Sequence, residues 1–159
     1  MRNPLTPVAI WLGSLETTSK YNSLIVRVDN ALSRMTRGKL PLLRLASLGE
    51  LVLEVPGRHS GIPRRVPLLA RAWDNGFVIV GSNWGQPRMP AWVHNLRAAT
   101  PGETYIHSRG LRIAIDVAEL EGARREAAFA AARAQWPNYD IYVRRTERLL
   151  PVFHLTPRV

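Results

Sequence analysis

Residues 55–68 read V-P-G-R-H-S-G-I-P-R-R-V-P-L, and residues 74–96 read D-N-G-F-V-I-V-G-S-N-W-G-Q-P-R-M-P-A-W-V-H-N-L. Together they predict two polar, glycine-rich loops that are joined by a β-hairpin. The hairpin turn is marked by Asp74-Asn75-Gly76, because Asn-Gly suits the pair of positive φ angles in a type I′ turn. Residues 77–80, which follow, are apolar on both faces of the strand, and this is typical of a central strand.

The first loop, residues 56–65, is basic. Gly57 and Gly61 permit positive φ angles, so consecutive backbone N–H groups could turn into one concavity that binds an anion. The loop is surrounded by Arg58, Arg64 and Arg65, and arginine suits bidentate contact with phosphate or carboxylate. The alternative is an ordinary solvated hairpin turn.

The second loop, residues 81–90, is rich in amide and hydroxyl groups and contains Trp84. It leads into a predicted helix at Pro90, because proline is tolerated at a first helical position. An anion-binding loop beside an amide-rich loop with a tryptophan indicates a site for a long ligand with an anionic tail and a planar head.

The remaining pattern predicts a small barrel with peripheral helices, an α+β fold that is mostly β. Strands are expected at residues 51–55, 66–73, 77–80, 104–107, 111–120 and 152–155, and helices at residues 23–38, 90–99, 122–135 and 139–148. In the fifth strand Leu111, Ile113, Ile115 and Val117 alternate with other residues, as in a half-buried strand. His154 alternates with core residues and is expected to be a structural histidine.

The composition favours one domain, since the chain has 159 residues. The net charge of +10 attracts anionic ligands, polyanions or acidic lipid headgroups, although a generally basic surface is an equal alternative. No cysteine is present, so disulfides and thiol catalysis are excluded, and the protein is expected to be cytoplasmic. The basic, amphipathic helix at residues 23–38 could make peripheral contact with an anionic membrane, or it could pack on the barrel.

Familiar catalytic patterns are missing from the sequence. Ser60 lies in G-R-H-S-G, which is not the G-x-S-x-G of a nucleophile elbow. The four histidines form no H-x-H or H-E-x-x-H pair, so we expect no metal site. The sequence contains no G-x-G-x-x-G, which argues against a Rossmann cofactor site.

A family resemblance rests on motifs spread over residues 45–157. They are Gly57-Arg58-His59-Ser60-Gly61, Arg64, Pro67-Leu68, Gly81-Ser82-Asn83-Trp84-Gly85, Pro90-Ala91-Trp92, Asn95-Leu96, Trp136-Pro137, Tyr139, Tyr142, Arg145-Thr146, Pro151-Val152 and Leu155. Together they resemble the deazaflavin-dependent nitroreductase family, split-barrel oxidoreductases that use coenzyme F-420. The resemblance implies a six-stranded antiparallel split β-barrel of the FMN-binding type over residues 41–159, preceded by an N-terminal segment and helix over residues 1–40.

The resemblance also implies roles for individual residues. The phosphate and carboxylates of the cofactor tail would be held by Arg58, His59, Ser60, Gly61 and Arg64. The ring system would be bordered by Val66, Pro67, Ser82, Asn83, Trp84 and Gly85. The second loop would be supported by Trp92 and Asn95. The acceptor would be framed by Tyr139, Tyr142 and Ser82, none of which is assigned as a certain catalytic residue.

The activity that the resemblance implies is hydride transfer from reduced F-420 to an electron-poor acceptor, such as a quinone, an activated alkene or a nitroaromatic. One alternative is a split-barrel protein that binds F-420, or with less support FMN, without turnover. Another is a basic module that binds nucleic acid or a membrane surface. We expect no nucleic-acid partner, because the basic residues concentrate beside a glycine turn and the aromatic residues lie mostly in loops and helices. The protein is expected to be a monomer or a homodimer.

Overall fold

The computed structural model describes Pro7, Trp11, residues 50–108 and residues 110–158. The helix predicted at residues 23–38 and the proposed boundary near residue 40 therefore lie outside the described residues. The described part contains β1 (Glu50–Pro56), β2 (Pro63–Trp73), β3 (Gly76–Val80), α1 (Ala91–Ala98), β4 (Tyr105–Ser108), β5 (Leu111–Glu119), α2 (Gly122–Gln135), α3 (Tyr139–Arg145) and β6 (Val152–Pro157). No helix within these ranges is long and apolar enough to cross a membrane.

The six strands close into one antiparallel barrel. Around the barrel the strand order is β1-β2-β3-β6-β5-β4, and β4 returns to pair with β1. Each of the six described strands therefore pairs with a neighbour on both sides, and this limits the usual liability of an open sheet edge. The predicted six-stranded antiparallel barrel with flanking helices is confirmed.

The hairpin between β2 and β3 forms where it was predicted, but its turn lies one residue earlier. Trp73 pairs with Gly76, so the two turn residues are Asp74 (φ 46°) and Asn75 (φ 60°). Gly76 belongs to the strand, and a Cβ there would lie 2.3 Å from the backbone oxygen of Leu155. Glycine is required at this position by the close approach of β6, not by the turn.

The prediction that β3 is central is confirmed by two hydrophobic clusters on its two faces. Ile79 belongs to the barrel interior, where it packs with strand residues such as Leu53 and with Val93 of α1. Val78 and Val80 face the opposite way, under α2 and α3. One wall of the barrel is thus covered by two helices, and the site described below lies next to that cover.

The helix prediction holds for α2 and is too long for α3. We expected the last helix to reach residue 148, but it ends at Arg145, and Thr146 is extended (φ −143°, ψ 143°). In β5, Ile115 is buried as expected, whereas Leu111 is exposed at the hairpin end. His154 is buried and its Nε2 lies 3.2 Å from the Trp73 carbonyl oxygen, so the structural role predicted for it is confirmed.

Candidate functional site

A cavity of about 810 Å³ opens between the β1–β2 turn, β2, the 81–90 loop, α1 and α3. Most of the predicted site residues line it: Arg58, His59, Ser60, Arg64, Val66, Pro67, Ser82, Asn83, Trp84, Trp92, Asn95, Tyr139 and Tyr142. Two predicted residues, Gly61 and Gly85, lie outside the lining, and both have positive φ angles (65° and 77°). The fold therefore brings residues from five separate segments to one concave site.

The backbone of the first loop is not the anion-binding concavity that we expected. The N–H groups of Ser60 and Gly61 both donate to the Gly57 carbonyl oxygen, at 3.1 and 2.8 Å, and Gly57 N donates to Ile62 O at 3.0 Å. These donors close the turn and are not presented to a ligand. An anion at this end of the cavity would therefore be bound mainly by side chains.

The arginines of the first loop separate onto two faces of β2. Arg64 lines the cavity. Arg65 points to the other face, because successive strand residues alternate, and its Nε donates to Glu54 Oε2 at 2.8 Å. The expectation that all three arginines surround the loop is wrong for Arg65. Arg58 Nε donates to His59 Nε2 at 2.9 Å, so the two side chains of this loop contact each other directly.

Glu54 holds Arg65 away from the cavity as part of a larger ion cluster. Its carboxylate also accepts from Arg112 Nη2 at 2.7 Å and lies 2.8 Å from His107 Nε2. Burial by itself would raise the pKa of Glu54, but the hydrogen bonds from Arg112, Arg65 and His107 outweigh it and lower the pKa to about 2. Sequence reasoning missed this residue, although an acid within an otherwise apolar strand was the available signal.

The second loop contains a tight turn in which Asn83 (φ 45°), Trp84 (φ 58°) and Gly85 (φ 77°) are all left-handed. Asn83 Nδ2 donates to the Arg88 carbonyl oxygen at 2.8 Å. A Cβ on Gly85 would lie 2.9 Å from Tyr142 Cα, so glycine allows the turn to press directly against α3. The rings of Trp84 and Tyr142 meet edge to face at 6.0 Å.

The two predicted residues of α1 are placed differently from each other. Asn95 was expected to support the second loop, but its Oδ1 accepts from the backbone N–H of Arg58 at 3.2 Å and so fixes the first loop. Trp92 is buried and packs on Phe153 at 5.7 Å, while it also contributes to the cavity wall. Helix α1 thus connects the first loop to the barrel core.

Tyr139 and Tyr142 form the inner end of the cavity. They are only 4% and 2% exposed, and Trp136 Nε1 donates to Tyr142 Oη at 3.3 Å. Burial raises the pKa of Tyr142 to about 12, although the hydrogen bond from Trp136 and the charge of Arg145 oppose it. Burial also raises the pKa of Tyr139. Both phenols are therefore neutral at pH 7 and retain a proton that can be donated to an oxygen.

Sequence reasoning assigned no role in the site to four residues near the second loop. Arg88, Met89 and His94 line the cavity. Arg148 lies beneath the loop and donates to its backbone carbonyl groups. Burial lowers the pKa of Arg148. No local pattern marks this residue, because the carbonyl groups that it binds lie more than sixty positions earlier in the chain.

The chemistry of the lining fits a ligand with an anionic tail and a flat head. The end near the first loop carries Arg58 and Arg64, which suit phosphate or carboxylate. The rest of the lining combines apolar walls with the polar side chains of Ser82 and Asn83. Such a lining fits the cofactor that the family resemblance implies.

Comparison with known proteins agrees with this fit. The model of the F420H(2)-dependent quinone reductase family matches residues 25–157. Two curated relatives are each 26% identical to this chain over 135 residues. One, from Mycobacterium tuberculosis (strain ATCC 25618 / H37Rv), is named F420H(2)-dependent quinone reductase. The other, from Mycobacterium bovis (strain ATCC BAA-935 / AF2122/97), is named putative F420H(2)-dependent quinone reductase. The alignment covers 84% of this chain and 91% of each relative.

Two solved structures are similar to this chain. A structure titled F420-H2 Dependent Reductase (FDR-A) has a TM-score of 0.60 and 30% identity, and the match covers 67% of this chain and 92% of that one. A second, titled a domain-swapped dimer, has a TM-score of 0.63 and 27% identity, over 86% of this chain and 98% of that one. With the family match over residues 25–157, they confirm the resemblance: the chain belongs to the F420H(2)-dependent quinone reductase family and is an oxidoreductase that uses reduced coenzyme F-420.

Proposed function

We propose that this cavity binds reduced F-420 and a quinone together, with the cofactor tail on the first loop and its ring against the second. The observation that carries the proposal is the division of one cavity into an end with Arg58 and Arg64 and an inner end with Tyr139 and Tyr142. When bound, reduced F-420 supplies a hydride, so the protein needs no nucleophile of its own.

The protein's own residues would bind the cofactor, orient its ring and stabilise the charge that develops on the acceptor. Arg58, His59, Ser60 and Arg64 would hold the tail, and Asn95 would keep the backbone of Arg58 in place. Val66, Pro67 and the Ser82–Trp84 segment would fix the plane of the ring. The closed packing around Tyr142 would exclude water from the inner end.

The acceptor would lie at the inner end, where the two tyrosines are neutral. Negative charge that develops on an acceptor oxygen is stabilised by hydrogen-bond donors that are already in place. Tyr139, Tyr142 and Ser82 are the proposed donors. A phenol with the ordinary pKa of 10.0 is already neutral at pH 7, and burial raises the pKa of Tyr139 and of Tyr142 further, so both would stay hydrogen-bond donors at alkaline pH as well.

The test is a titration of tryptophan fluorescence with F-420 and, in parallel, with FMN, followed by a turnover assay. We expect quenching by F-420, much weaker quenching by FMN, and oxidation of reduced F-420 when a water-soluble naphthoquinone is added. Binding of F-420 without oxidation by any quinone would support the non-catalytic alternative. Tighter binding of FMN than of F-420 would contradict the proposed cofactor.

A homodimer is the oligomeric state we propose, and the domain-swapped dimer among the solved relatives supports it. Light scattering on the purified protein measures the mass directly, and a monomeric mass would contradict this proposal. The cytoplasmic location and the membrane contact of residues 23–38 stay predictions from the sequence.

A further inference from the structure

Arg148 lies just beyond α3, and its guanidinium extends under the second loop. Nη1 donates to the carbonyl oxygen of Gly81 at 2.9 Å, Nη2 to that of Ser82 at 2.6 Å, and Nε to that of Gln86 at 2.9 Å. One side chain therefore binds three backbone carbonyl groups of a single loop.

The bound carbonyl groups stand on both sides of the left-handed turn. Ser82 precedes Asn83 and Trp84, and Gln86 follows Gly85. Positive φ angles are disfavoured for residues with a side chain, so a conformation with Asn83 and Trp84 both left-handed persists only where the surroundings hold it. The planar guanidinium connects the two ends of this turn and fixes their separation.

The charge of Arg148 is directed at the loop and not at an acid. Within residues 50–108 and 110–158, no carboxylate forms an ion pair with it. Hydrogen bonds from a charged donor are stronger than neutral ones, and lysine cannot reproduce the fixed fork of three donors. Geometry as well as charge is therefore needed at this position.

We propose that Arg148 is a positioning residue, which holds the 81–90 loop in the strained form that turns Ser82, Asn83 and Trp84 toward the cavity. Its effect on ligand binding rests on the proposed function, because it acts through the residues that would border the cofactor ring. Its effect on the loop does not depend on any ligand.

The first experiment follows the loop without cofactor. The protein is labelled with 5-fluorotryptophan, and the ¹⁹F resonance of Trp84 is assigned with Trp84→Phe. We expect Arg148→Lys to shift or broaden the Trp84 resonance, whereas Arg144→Lys leaves it unchanged. Arg144 is a matched control, because it is an exposed arginine on α3 and lies outside the cavity lining. An unchanged Trp84 resonance in Arg148→Lys would overturn the proposal.

The second experiment measures F-420 affinity by tryptophan quenching. Arg148→Lys keeps the charge, so a weakening of about tenfold or more would show the need for the fork. In Arg148→Ala, low concentrations of guanidinium chloride should restore part of the affinity, whereas ammonium chloride at equal ionic strength should not. Equal rescue by the two salts would reduce the role of Arg148 to charge alone and contradict positioning.

A third measurement needs no variant. In a ¹⁵N spectrum of the wild-type protein, the Arg148 Nε–H should exchange with water far more slowly than the Arg144 Nε–H, because it is bound to the Gln86 carbonyl oxygen. Equal exchange rates would overturn the proposal even if every Arg148 variant failed to fold. If F-420 does not quench the wild-type protein, the proposed function fails, and the Trp84 resonance still decides the role of Arg148.

Discussion

Two neighbouring arginines show how a single step along a strand decides which side chain lines the cavity. Arg64 and Arg65 have the same chemistry and the same local sequence, yet they lie on opposite faces of β2 because strand side chains alternate. Arg64 lines the cavity, and Arg65 binds Glu54. A one-residue shift in the register of β2 would exchange their roles.

Replacing Arg64 by alanine should weaken F-420 binding by about tenfold or more, because charge-assisted hydrogen bonds contribute about 1.5–3 kcal/mol. Tryptophan quenching at low and high NaCl measures the affinity for F-420. The difference in affinity between Arg64→Ala and wild type should shrink as the salt concentration rises, because salt screens the charges. Arg65→Ala is the control, since it removes the same charge from the adjacent position and should change the affinity little. Equal losses in the two variants would mean that net charge, not a clamp, drives binding.

At the level of elements, the site depends on contact between the second loop and α3. Gly85 approaches Tyr142 so closely that even a methyl group would overlap it. Helix α3 ends at Arg145, and this early end lets the chain turn so that Arg148 reaches the same loop from below. Loop and helix therefore behave as one packed unit.

Gly85→Ala should disrupt that unit, and Gly110→Ala provides a matched comparison. Both glycines have positive φ angles (77° and 83°), so both variants lose about 1–2 kcal/mol to backbone strain. Only at Gly85 would the new Cβ also meet other atoms, at 2.9 Å, whereas at Gly110 it would meet none within 4 Å. We therefore expect Gly85→Ala to lower the free energy of unfolding by about 1–3 kcal/mol more than Gly110→Ala does.

Thermal unfolding followed by circular dichroism measures the difference, which should appear as a lower Tm for Gly85→Ala, together with weaker F-420 quenching. Equal Tm values for the two variants would show that the approach of the loop to α3 is not tight in solution.

For the whole molecule, Glu54 connects four of the six barrel strands. Its carboxylate on β1 binds Arg65 of β2, His107 of β4 and Arg112 of β5. The cluster lies on the barrel wall and uses charges that sequence reasoning had assigned in part to ligand binding. It therefore contributes to stability and not to the cavity.

The lowered pKa of Glu54 predicts how stability depends on pH. The folded-state pKa of about 2 lies below the ordinary value of 4.5, so the stabilisation is fully present above pH 4.5 and is lost as the pH falls through about 2. We expect it to amount to about 1–3 kcal/mol, since Arg65 and Arg112 are 65% and 49% exposed and solvent weakens their contribution.

Urea unfolding at pH 7 should show a lower free energy of unfolding for Glu54→Gln than for wild type. Between pH 4.5 and 2, the free energy of unfolding should fall less in Glu54→Gln than in wild type. Asp116→Asn, which removes the acid of an exposed ion pair with Arg158, should change little. The same acid sensitivity in wild type and Glu54→Gln would contradict the prediction.

The sequence alone determined the barrel and most of the residues that line the cavity. Alternating strands, the Asp74-Asn75 turn and the glycine-rich loops are local signals, since they depend on φ and ψ angles and on side-chain alternation within a few residues. They were sufficient to place all six strands. It was the family resemblance that selected thirteen of the residues that line the cavity. The motifs of the resemblance supplied the cofactor.

Only the tertiary structure decided how those residues act. In the folded protein the N–H groups of the first loop close its turn, and Asn95 binds that loop instead of the second one. Arg65 binds Glu54, and Tyr139 and Tyr142 are buried. The tertiary structure also brought Arg148 to Gly81, 67 positions away in the chain. Such contacts join residues that no local pattern relates, because the free energy that fixes them comes from packing and hydrogen bonding across the closed barrel.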